Sequence, residues 1–170
     1  YDADIREGKI CEQAHVSINA YYIYSVHIAN VIADALGVDP YRDIESLKSV
    51  FYDTFYDAEK KLFRDNEGSE HISLVGNSFV YGFGLCPNDA CKENILKLID
   101  GHGIDSLSFF CTFPILMRFA KDGESDRMKR ALLNDGAWRR MLREDATTTF
   151  EGWGKDTKWN TSLFHLTMSY

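Results

Sequence analysis

Ala14–Gly37 reads AHVSINAYYIYSVHIANVIADALG, and its periodicity decides the fold class. Apolar side chains recur every three or four residues from Ala14 to Leu36. That spacing gathers them on one side of a helix, whereas a strand would alternate them. Gly37 supplies a stop, because glycine enters the left-handed conformation that ends a helix without a Cβ clash. Next, Asp39 and Pro40 have the residue types of an N-cap and a first helical position. A second helix is therefore expected to run to about Phe55.

The helical period continues beyond this pair. The connector DAEKKLFRDNEGS offers a short strand at Lys61–Arg64. A third helix is expected over Glu70–Leu85, and a fourth from near Asn88 to before Gly101. A fifth should run from an Asp105 cap to about Asp122, with Pro114 kinking or dividing it. Helices over Ser125–Asn134 and Ala137–Arg143 follow, and a last one begins near Thr161. The reading is all-α, a chain of helical hairpins. HVSIN at His15–Asn19 echoes HISLVGN at His71–Asn77, as repeated helix pairs would. Glu70, Ser73, Asn77 and Tyr81 fall on one polar stripe of the third helix, and His15, Asn19 and Tyr22 on one of the first. Satisfied core hydrogen bonds are the expected explanation, with His71 and Asn77 as scaffold.

Composition excludes several classes of function. A chain of 170 residues with 45% hydrophobic and 14% aromatic residues builds one core. Its net charge of −7 argues against nucleic acid and against an anionic membrane surface. No apolar run reaches the roughly 20 residues that cross a bilayer. The start, YDADIREGKI, lacks the basic end and apolar stretch of a signal peptide. Opening on Tyr1, it reads as part of a longer chain, soluble but of unassigned compartment. Cys11, Cys86, Cys91 and Cys111 form no CxxC pair and are joined by no spaced histidines, so no zinc site or other cofactor is expected. They are read as free thiols, and Cys86 and Cys91 can meet only if PNDA folds them together.

The chemistry concentrates in TTTFEGWGKDTKWN, Thr147–Asn160. One carboxylate, Glu151, sits between Phe150 and Trp153, after three threonines and before Trp159. Hydroxyls and backbone amides around a carboxylate can hydrogen-bond it and hold it charged. The plainer alternative is a capping or solvated loop acid.

Taken together, HVSINAYYIY, GSEHISLVGNSFVYGFGL, AWRRMLREDATTTFEGWG and TSLFH resemble, in this order, the catalytic domain of the α-L-rhamnosidases of glycoside hydrolase family 78. The resemblance covers nearly the whole chain. It implies an (α/α)6 toroid of inner and outer helices, of which this chain is the C-terminal part. It also implies an inverting hydrolase with two carboxyl groups roughly 6.5–9.5 Å apart. Glu151 matches the general base, and His165 matches a histidine at the sugar. Phe150 stands where the family usually has Trp, and with Trp153 it would wall the site against a deoxysugar. The family's acid motif lies next to Cys-Pro; LCPND here lacks that pattern, so the acid has no match. The implied partners are a carbohydrate and the N-terminal part of the same domain, with self-association of the fragment expected. A concave helical module that binds protein, and another toroidal sugar hydrolase such as an arabinofuranosidase or an unsaturated glucuronyl hydrolase, are the rival readings.

Overall fold

The computed structural model describes residues 13–147, 149–150 and 152–158. They are overwhelmingly helical and fall into two units, which meet in the sequence between Leu96 and Lys97. The expected all-α fold of helical hairpins is what the chain adopts.

In the first unit, α1 spans Val16–Leu36 and α2 spans Ile44–Phe55. Val16, Ala20, Ile23 and Val26 form the buried stripe of α1. Gly37 ends the helix in the left-handed conformation at φ 69°, and its N–H returns to Ala33 O and Asp34 O. The second helix starts later than Asp39–Pro40 implied. Its N-cap is Asp43, whose side chain accepts from Glu45 N and Ser46 N. The reason is Asn30 of α1, which accepts from Tyr41 N and donates to Arg42 O, both at 2.8 Å. That grip holds the segment after Pro40 out of the helix.

After α2, β1 (Tyr56–Asp57) pairs antiparallel with β2 (Leu62–Phe63), Tyr56 opposite Phe63. Asp57 Oδ1 accepts from Glu59 N and Lys60 N, and Lys61 closes the turn at φ 54°. The strand expected at Lys61–Arg64 is thus one half of a hairpin. Phe63 buries its ring with Phe51 and Phe55.

The third helix is a correction. α3 spans only Leu74–Gly82, with Ser73 as its N-cap. Glu70 and His71 precede the helix, so the four-residue polar stripe does not exist as a helical face. α4 covers Asp89–His102 and continues through Gly101. PNDA does bring Cys86 to Cys91: the two thiols lie side by side, and together with burial this pushes the Cys91 thiol well above its ordinary pKa.

The second unit holds the end of α4, a 3-10 turn at Ile104–Ser106, α5 (Phe109–Asp122), α6 (Ser125–Leu132), α7 (Trp138–Arg143) and α8 (Lys155–Lys158). The fifth expected helix therefore opens at Ser108, and Pro114 does not divide it. Cys111, Ile115 and Phe119 lie one helical turn apart and are all buried, so α5 continues past the missing N–H with its packing face intact. No described helix is long and apolar enough to cross a membrane.

Candidate functional site

The described residues on either side of position 151 contact α7, its flanks and Leu107. Before it, Asp145 adopts φ 56°, and Ala146 N returns to Met141 O at 3.0 Å. Phe150 is buried. After it, Trp153 donates its indole N–H to Leu107 O at 2.6 Å and sets its ring edge-on to Trp138, 4.9 Å between centroids. One polar edge of Trp153 is thereby committed to the fold, and the rest of the ring is half-buried. Gly154 lies against the Arg140 guanidinium, where an added Cβ would overlap it.

Charged contacts complete the frame. Arg140 Nε donates to Glu144 Oε1 at 2.7 Å, and Arg140 Nη2 donates to Asp156 Oδ1 at 2.5 Å. The other Glu144 oxygen accepts from Lys155 N at 2.7 Å. That backbone donor, then Arg140, holds the Glu144 carboxyl below the usual glutamate range. Arg140 is raised in turn, chiefly by Glu144. Sequence reasoning missed Arg140 and Glu144. Their i, i+4 spacing on α7 was visible, but the turn of Glu144 toward Lys155 was not. Asp156, close to Glu151 in sequence, is an ion-pair partner of Arg140. Glu151, His165 and Trp159 lie outside the described residues.

A second polar centre occupies the first unit. Asp65 is fully buried, and its carboxylate is saturated. Oδ1 accepts from Ser73 N at 3.1 Å and Ser73 Oγ at 2.6 Å, while Oδ2 meets His71 Nδ1 at 2.5 Å. Its main chain also bonds the start of α1 and the segment leading into α3: Val16 N donates to Asp65 O at 2.8 Å, and Asp65 N donates to His71 O at 2.9 Å. The N-termini of α1 and α3 are thus pinned to one residue. Gly76 permits the closeness, since a Cβ there would sit 2.7 Å from Val16 Cγ1 and 2.9 Å from Asp65 Oδ1.

The sequence echo also has a structural counterpart, in a shifted register. Asn19 Nδ2 donates to the carbonyl of the N-cap His15, and Asn77 Nδ2 donates to that of the N-cap Ser73, each at 2.9 Å. His15 therefore corresponds to Ser73, four residues before the asparagine, and His71 lies outside the match. Asn77 is scaffold, as expected. Among the described residues, no group of three or more His, Cys, Asp or Glu side chains could hold a metal ion.

The sequence matches the family described as the bacterial alpha-L-rhamnosidase 6 hairpin glycosidase domain over residues 3–169. The chain belongs to this family. No curated protein matches it. The rhamnosidase hairpin domain supplies the class, a glycosidase fold of α-helical hairpins. Within it, the described residues between Ala146 and Asp156 flank the candidate catalytic position, and the Asp65 centre is the brace between two helix starts.

Proposed function

We propose that this chain is part of an inverting glycoside hydrolase that releases terminal α-L-rhamnose, with Glu151 as the general base. The observation that supports it most is the family match running through TTTFEGW, combined with the anchoring of Phe150 and Trp153 on either side of Glu151. A base must be held rigidly to remove a proton from one particular water. Inversion further requires an acid across the sugar, which lies in the N-terminal part of the domain. The chain is in this reading the C-terminal part of a six-hairpin toroid and is inactive alone. His165 contacts the sugar, and Phe150 and Trp153 form the apolar wall behind it. Of the four α1 residues that would meet the missing helices, Tyr21, Tyr22 and Ile28 are exposed and Tyr24 is half-buried, stacked on Phe83; through the exposed ones the isolated fragment self-associates or takes up its other half.

The test is Glu151→Gln in the full-length protein, assayed on an aryl α-L-rhamnoside. The amide keeps shape but cannot accept the proton. The expected loss is on the order of 10²–10⁴-fold in kcat with KM little changed. Full activity in this variant would remove Glu151 from the mechanism.

A further inference from the structure

We propose that Glu144, braced by Arg140, is the positioning residue for the general base; the proposal rests on the reading of Glu151 given above. The carboxylate of Glu144 joins two places that are distant along the chain. One oxygen takes Arg140 Nε inside α7, and the other takes Lys155 N, four residues beyond Glu151. On the N-terminal side, Phe150 is buried and Ala146 bonds back to Met141 in α7. Both limbs of the catalytic loop are therefore referred to the same short helix.

The types of contact rank the members. Asp156 is 66% exposed, so its ion pair with Arg140 is screened and contributes little. The Glu144 bond to Lys155 N is a charge-assisted bond to the backbone itself, and it constrains the chain directly. Arg140 adds shape as well as charge. Its guanidinium carries the Glu144 bond, carries the Asp156 bond and lies against Gly154, a combination that an ammonium cannot reproduce. Neither residue needs to touch substrate for this role. A loop base displaced by about 1 Å loses on the order of 10²-fold in rate, because the water it must deprotonate has to attack the sugar from the one face opposite the acid.

The experiment uses the full-length protein and an aryl α-L-rhamnoside, with Glu144→Gln, Arg140→Lys, Glu151→Gln and the Glu144→Gln/Glu151→Gln double variant. Glutamine keeps one acceptor, so one of the two bonds at position 144 is lost. We expect kcat of Glu144→Gln to fall about 10- to 100-fold with KM within about two-fold. Arg140→Lys should fall in the same way. The double variant should be no slower than Glu151→Gln alone, because a residue that acts through the base has nothing left to act on. Wild-type kcat in Glu144→Gln, or a double variant slower by the product of the two losses, overturns the proposal. If Glu144→Gln does not fold, wild-type kcat in Arg140→Lys overturns it instead. Full activity in Glu151→Gln overturns the base reading first, and the proposal with it.

Discussion

Replacing Asn77 with alanine should cost much of the stability of the first unit. Tyr56 and Phe63 are paired across the hairpin, and Arg64 N bonds Phe55 O one step outside that pair. Tyr56–Phe63 is therefore the non-hydrogen-bonded kind of antiparallel pair, and the N–H and C=O of Phe63 point away from β1. Asn77 takes both: Phe63 N donates to Oδ1 and Nδ2 donates to Phe63 O, each at 2.9 Å. The side-chain amide stands where a third strand would be. Both Phe63 and Asn77 are fully buried, so no water replaces the lost partner. An orphaned buried polar group costs about 1–3 kcal/mol, so two of them cost about 2–6 kcal/mol. That is a large share of the roughly 5–15 kcal/mol that separates folded from unfolded domains. Urea unfolding followed by circular dichroism reads the difference as a shift in midpoint at nearly constant slope. Asn77→Asp is the companion variant. It keeps the acceptor and the shape, loses the donor, and buries a charge, so it should be no milder. A loss below about 1 kcal/mol in Asn77→Ala, or a wild-type midpoint in Asn77→Asp, would refute this reasoning, since two orphaned buried groups leave no room for so small an effect.

Two further outcomes are expected. Glu144 has a folded pKa below its ordinary value, so its bonds stabilise the loop above that ordinary value and are lost as pH falls through the depressed one; tryptophan emission should shift only on the acid side of the ordinary glutamate range, and a Glu144→Gln protein showing the same transition would assign it elsewhere. Gly76→Ala should destabilise by about 1–3 kcal/mol, because its Cβ meets Val16 and Asp65, whereas Gly101→Ala in α4 meets nothing and should stabilise by about 0.5–1 kcal/mol; thermal unfolding that ranks the two the other way would contradict the packing described.

The parts of the fold legible in the sequence were those fixed by neighbours along the chain. The buried stripe of α1 and the left-handed Gly37 are both local, and both were read correctly. The start of α2 was misplaced because Asn30, in the preceding helix, captures the backbone after Pro40. α3 was drawn too long for a related reason: the Asp65 carboxylate takes Ser73 N and Oγ, which sets the N-cap there and leaves His71 outside. The Glu144 contact with Lys155 depends on how the chain returns after α7, which no residue spacing encodes. For the candidate site, the motif around Glu151 suggested a chemistry, while the contacts of the residues on either side became visible only in three dimensions.

Asp65 also separates two kinds of freedom. Its carbonyl bonds Val16 at 2.8 Å, so α1, α2 and the hairpin form an excursion that leaves and returns at one point. A change in length inside that excursion need not move either end. Lengthening a flexible connection costs only about 0.6 kcal/mol per doubling, and the link between Gly37 and Asp43 lies wholly within the closed path. An insertion before Tyr41 that spares the Asn30 grip on Tyr41 and Arg42 leaves the starts of α1 and α3 in register, so a change at one end of the hairpin is insulated from geometry at the other.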